Sequence, residues 1–218
     1  GLQRGIDLHF SVASDTREPL DAVRYVGNRS SGKMGVALAE EALERGADVT
    51  LLAANLAVPP PAGVKVVETP TAADLEREAL ARGDAEVIVM AAAVADYAPA
   101  ASLLGKRPKD DETWTVELEP TADILAGLGA SRRPGQVLVG FAADGAGEGL
   151  ERARAKRVAK QADLIVYNDV SRSDIGFDTE ENEVVVVSED GERSLPKATK
   201  REIAAAVLDE VERLLSNR

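Results

Sequence analysis

Six short runs of β-branched and small apolar residues recur along the chain, at 6–13, 48–53, 64–68, 86–91, 136–141 and 163–167. Most are apolar throughout rather than alternating, which suits strands buried on both faces of a parallel sheet. Helical patterns lie between them. The stretch 36–45 stops at Gly46, a C-terminal cap. The stretch 71–82 starts on Thr71 as N-cap, with Asp74 three residues on, and stops at Gly83. Residues 121–128 and 147–162 follow the same logic.

Strand–helix–strand alternation at this spacing predicts an α/β fold with a doubly wound, mostly parallel, Rossmann-like sheet. Two segments break the rhythm. After a strand at 183–188, the turn Glu189-Asp190-Gly191-Glu192 leads into 193–195, which pair back as a hairpin, and 199–215 form a long amphipathic helix. Residues 98–112, rich in Pro, Lys, Arg and Asp and followed by a strand-like 114–118, read as a flap projecting from the sheet. At 218 residues the chain is expected to be one domain, 1–218, with its flap at about 98–118. It opens on Gly1 rather than Met, which suggests a trimmed chain or a piece of a longer polypeptide.

Charge and composition exclude several function classes. With 26 Lys+Arg against 38 Asp+Glu the net charge is -12, which argues against a nucleic-acid coat. No Cys is present, so disulfides, thiolate catalysis and Cys-ligated metals are out. A single His excludes a multi-His metal site. No apolar run approaches ~18 residues, so no membrane span is expected. No signal peptide is seen either, and the expected location is cytoplasmic.

Chemistry concentrates at strand ends. The polar connection 15–35 is unusually long for a strand–helix loop. In an open parallel sheet it sits at the carboxyl ends of the strands, where ligands bind. Its end, Ser30-Ser31-Gly32-Lys33, leads into a helix and offers N–H groups, hydroxyls and an ammonium as an anion cradle. Residues 27–33 also fit G-x-x-x-x-G-K, but Met34 stands where a P-loop needs a hydroxyl for Mg²⁺. Met90-Ala91-Ala92 let a flat ring approach the backbone, and Asp96 follows them. Lys106, Arg107 and Lys109 charge the flap, which is either a solvated loop or a lid over phosphates. Phe141 lies in the fifth run. Lys156 and Lys160 share one helix face at i, i+4. Asn168-Asp169-Val170, after the sixth run, read alone as an Asx-type turn.

Taken together these stretches resemble the phosphopantothenoylcysteine synthetase family over nearly the whole chain. The family pattern T-R-E-P-x-D-x-V-R-Y/F-x-x-N-x-S-S-G-K-M/Q-G is reproduced by residues 16–35, A-A-V-A-D-Y by 92–97, G-F-A-A by 140–143 and N-D-V by 168–170. The resemblance implies that a carboxylate of 4′-phosphopantothenate attacks the α-phosphate of CTP, with Mg²⁺, and that cysteine then displaces CMP. It assigns Asn28 to stabilising the acyl-nucleotide, Arg24 to the pantothenate side and Lys106 to the phosphates. Asp96 would meet the nucleotide and its metal, and Met90, Ala91 and Ala92 would frame the base. Ala122, Asp123, Ile124, Leu125, Phe141, Lys156 and Lys160 match other CTP-contacting positions. It further implies a homodimer with a shared active site and a flavin-dependent decarboxylase fused or associated, and no nucleic-acid or membrane partner.

The chain departs from the family pattern in places. Ser14 and Asp15 replace Gly-Gly or Gly-Pro, so Asp15 must point away from a phosphate or carry a compensating cation. Ala98 replaces Arg, Pro108 stiffens the flap, Ala122 replaces Pro and Asp144 replaces Glu. A non-catalytic nucleotide-binding paralogue and a P-loop NTPase remain as rivals. A dinucleotide-binding domain is weaker, because no G-x-G-x-x-G follows the first run.

Overall fold

A computed structural model describes residues 7–13, 15–145, 147–171 and 179–218. Eight strands form one sheet: β1 (Asp7–Ala13), β4 (Asp48–Ala54), β5 (Lys65–Glu68), β6 (Val87–Met90), β9 (Val137–Asp144), β10 (Leu164–Asp169), β11 (Glu181–Val187) and β12 (Glu192–Thr199). Their order is β12-β11-β10-β9-β6-β1-β4-β5. The six from β10 to β5 are parallel, and β11 and β12 add an antiparallel edge. The chain therefore runs outward from β1 to β5, returns to lay β6 on the other side of β1, and continues to β10. The β1/β6 boundary is a topological switch point, where an open α/β sheet leaves a crevice at its strand ends.

The apolar runs dictate two packed layers. Leu51, Val89, Val139, Val166 and Val186 face one side of the sheet, against α1 (Lys33–Glu44) and α5 (Lys200–Ser216). Leu52, Ile88, Leu138 and Ile165 face the other, against α2 (Ala72–Ala81), α3 (Ile124–Ser131) and α4 (Gly149–Ala159). Gly140 lets α3 close on the sheet: a Cβ there would meet Leu125 at 2.6 Å and Ile165 at 2.8 Å. Capping sets two helix starts. Thr71 accepts from the Asp74 N–H, and Thr199 forms a reciprocal capping box with Glu202.

Several expected boundaries shift. Helix α1 begins at Lys33, three residues before the expected 36, because Gly32 takes a left-handed φ of 75° at the N-cap. The 15–35 connection is not all loop: β2 (Arg17–Pro19) and β3 (Tyr25–Gly27) pair as a small ribbon. Gly27 permits it, since a Cβ there would sit 2.6 Å from the Thr16 carbonyl oxygen. The flap strand is β8 (Leu118–Pro120), not 114–118, and it pairs with β7 (Tyr97–Pro99) to make the flap's stem. The expected helix 121–128 starts at Ile124, with Asp123 as its cap. The expected helix 147–162 covers only 149–159. The hairpin partner 193–195 extends to the whole of β12. Ile6 and Ser14 lie outside the described residues.

Candidate active site

The ends of β6, β9 and β10 face a cavity of about 750 Å³. On one side the segment after β3 supplies Asn28, Ser30, Ser31 and Gly32 and runs into Lys33 at the start of α1. Opposite it, β6 ends in Met90, and Ala91, Ala92 and Asp96 continue the wall. The start of α3 contributes Ala122, Asp123, Ile124 and Leu125. Phe141 comes from β9, and Lys156 and Lys160 come from the end of α4. Sixteen of the eighteen site residues expected from sequence therefore surround one cavity.

The walls are tied together by backbone groups. The Asn28 amide nitrogen donates to the Val94 carbonyl at 2.7 Å, spending one of its two N–H groups. The Ala95 N–H donates to Thr16 Oγ1 at 2.9 Å, and Thr121 Oγ1 donates to the Ala95 carbonyl at 2.6 Å. Asp15 pairs as a parallel bridge with Ala93, and Arg17 Nε reaches its carboxylate at 2.9 Å. That arginine is the compensating cation Asp15 requires, and it also lies 4.7 Å over the Tyr25 ring.

Cations crowd a cavity in an acidic protein. Lys33 pairs with Glu180 and Lys160 with Asp123. Lys156 donates to the Phe141 carbonyl at 2.8 Å, and its burial pushes the ammonium below the ordinary lysine value, against the pull of Asp123. Burial pulls the Asp123 carboxyl up, but Lys160, the Ala126 N–H and Lys156 outweigh it and hold the group low.

Three buried polar wall residues were not among the expected site residues. Lys200, at the start of α5, and Asn182, in β11, are both buried and both line the cavity. Asn168, read in sequence as an Asx-type turn and as the start of the N-D-V match, is buried at the end of β10, and its Oδ1 has no hydrogen-bond partner among the described residues. A buried, unpaired acceptor at a cavity wall is costly unless a ligand donor meets it. The N-D-V triplet was the available signal for Asn168. Nothing local marks Lys200 or Asn182.

Two expected site residues do not line the cavity. Arg24 lies in the turn between β2 and β3, paired with Asp21 and stacked on Trp114. Lys106 sits exposed on the flap, which packs toward that ribbon rather than over the cavity. The physical reason is the same for both: the Arg107 N–H and carbonyl are bonded to Asp21 and Arg24. As for metal, no group of three or more His, Cys, Asp or Glu side chains among the described residues is placed to hold an ion unaided. Two carboxylates, Asp96 and Asp123, line the cavity, and Mg²⁺ in such sites takes one or two carboxylates and completes its shell with substrate phosphates and water.

The architecture is that of the doubly wound α/β class, and its crevice combines small residues, helix N-termini and cations at the strand ends. Within that class the chain belongs to the DNA/pantothenate metabolism flavoprotein C-terminal domain family, whose model matches residues 11–215. It is 38% identical over 204 residues to the coenzyme A biosynthesis bifunctional protein CoaBC of Escherichia coli K12, covering 92% of this chain and 50% of that protein. The Mycolicibacterium smegmatis protein of the same name is 42% identical over 219 residues, covering 94% and 52%. The chain thus spans about half the length of these curated relatives. A crystal structure of the C-terminal domain of a CoaBC protein superposes with a TM-score of 0.83 at 34% identity, covering 99% of this chain and 98% of that one. Among the described residues no helix is long and apolar enough to cross a membrane.

Proposed function

We propose that this domain is a ligase joining 4′-phosphopantothenate to L-cysteine through an acyl-cytidylate, with CTP converted to CMP and pyrophosphate, in coenzyme A biosynthesis. One observation carries the reading: residues from distant parts of the chain that match the family's motifs converge on a single cavity at the switch point. The relatives' bifunctional name supports it, and the half they have beyond this chain would be the flavin-dependent decarboxylase.

In the first step a carboxylate oxygen attacks the α-phosphorus and the bond to pyrophosphate breaks. The N-terminus of α1 with Ser30, Ser31, Gly32 and Lys33 would hold phosphate oxygens. Met90, Ala91 and Ala92 would receive the base, and Lys156 and Lys160 would offset the triphosphate charge. Asp96 would hold Mg²⁺ together with the nucleotide phosphates, supplying further charge neutralisation. In the second step the cysteine amine attacks the acyl carbon, loses a proton, and the C–O bond to CMP breaks. Asn28 would steady the developing oxyanion. Arg24 would act on the pantothenate side and Lys106 on the phosphates, both delivered by the β2–β3 ribbon and the flap. Since neither lines its own chain's cavity, the reading includes a homodimer that shares its site. It also places the chain, as one domain, in the cytoplasm.

The test is ligation by this chain with CTP, phosphopantothenate and cysteine, following pyrophosphate and product together. Coupled release of both is expected, and Asn28→Ala should lose ~10²–10³ in rate, the size of one oxyanion donor. Nucleotide binding without pyrophosphate release rejects the ligase in favour of a non-catalytic module. Hydrolysis of ATP or GTP without a carboxylate substrate rejects it in favour of a P-loop NTPase.

A further inference from the structure

Asp21 is a carboxylate that the proposed chemistry does not use, yet it is among the most heavily bonded groups of the chain. It stands in the turn between β2 and β3, and its side chain is fully buried. Oδ1 accepts the Val23 and Arg24 N–H groups, each at 2.8 Å. Oδ2 accepts Arg24 Nε at 2.9 Å, Arg24 Nη2, and the N–H of Arg107 at 3.1 Å. Arg24 returns the connection: its Nη2 also donates to the Arg107 carbonyl at 2.8 Å. Above this clasp the Trp114 ring carries the Arg24 guanidinium 4.5 Å from its centre and that of Arg107 at 5.0 Å. The Leu103 N–H adds a bond to the Leu20 carbonyl at 3.0 Å.

Removing a carboxylate here does more than delete one ion pair. It strands a backbone N–H of the flap and a guanidinium of the ribbon together, and a buried unmet donor costs more than the bond is worth. The Arg24 guanidinium, with its hydrogen bonds, holds the Asp21 carboxyl well below the ordinary carboxylate range, so it stays ionised.

We propose that Asp21 is a positioning residue that joins Arg24 and the flap segment next to Lys106 into one unit, so that both are presented together. This rests on the reading that Arg24 and Lys106 act in ligation. The flap geometry can nevertheless be tested without turnover, because Trp114 is the only tryptophan and the Lys106–Arg107 bond is a trypsin site.

The experiment compares the wild-type chain with Asp21→Asn and Asp21→Glu. In Asp21→Asn, Trp114 emission should move to the red and trypsin should cut the flap faster. Its kcat for ligation should fall ~10²-fold, the scale of a misplaced reacting group, while the KM for CTP stays within a few-fold because the cavity wall is untouched. Asp21→Glu, which keeps the charge, should recover part of both. Unchanged emission and cleavage in Asp21→Asn would overturn the proposal. So would a released flap with unchanged kcat, or a rise in KM alone. If Asp21→Asn fails to fold, Asp21→Glu is read alone against the wild type: its longer side chain must let trypsin cut the flap faster and lower kcat, and a flap as protected as in the wild type overturns the proposal. A wild-type chain that does not ligate refutes the reaction itself, whereas the emission and trypsin readouts judge the clasp separately.

Discussion

Lys156 shows how a side chain common on surfaces acquires a different chemistry. Its ammonium is held among Phe141, Asp123 and Lys160, and burial makes the charge harder to keep than in the unfolded chain. The folded value lies below the ordinary 10.5, so in the alkaline window under that value the unfolded chain holds more protons. Stability should therefore rise with pH through that window and level off above it. CTP binding should move the opposite way, weakening over the same range as the ammonium is lost. Calorimetric titrations of CTP across that range check this, and Lys156→Met should flatten the alkaline limb. At this scale the sequence was informative wherever a motif followed a strand end or kept a helical spacing: Asn28, Ala91 and Asp96 line the cavity in the first way and Lys156 in the second. Asp21 could not. Locally it is an ordinary turn aspartate, and its role comes from Arg107, 86 residues away.

Helix α1 begins where its glycine allows. Gly32 holds a left-handed φ of 75°, and Lys33, Met34 and Gly35 just beyond it line the cavity. Gly32→Ala should cost ~1–2 kcal/mol of stability, the price of a Cβ in that conformation. It should also weaken CTP binding, and a urea midpoint with a paired binding titration reads both. Elements with a cap or a long apolar run were legible: Thr71, Thr199 and the parallel strands fall close to where pattern puts them. The three-residue strands β2, β3, β7 and β8 were not, because so short a segment carries no period. Trp114 drew the flap strand four residues too early. Its ring serves two guanidiniums rather than a neighbouring strand.

Among the described residues most of the exposed large apolar side chains gather on the two ribbons and the flap, while Val66, Leu80 and Val158 stand singly elsewhere. Tyr25 on the first ribbon, Tyr97 and Leu118 on the flap stem, and Leu103 and Leu104 on the flap are all exposed. Clustered apolar exposure of this kind marks an association surface. These ribbons also carry Arg24 and Lys106, so a second copy docked there would bring both to a cavity. The chain should sediment as a dimer, and Leu118→Lys should yield a monomer that has lost ligation but keeps its melting temperature within a few degrees. Sedimentation velocity with a parallel melt decides it. The doubly wound architecture was legible because it follows from alternation alone. The two surface ribbons, which set how copies meet, depend on contacts that no local pattern encodes.

The cavity draws its walls from Asn28 near one end of the numbering and from Asn182 and Lys200 near the other. During synthesis on a ribosome, the early strands and α1 can assemble long before Lys200 leaves the exit tunnel. A growing chain therefore carries an incomplete cavity until β12 is laid against β11 and α5 begins. Maturation of the pocket and completion of the sheet edge are one event.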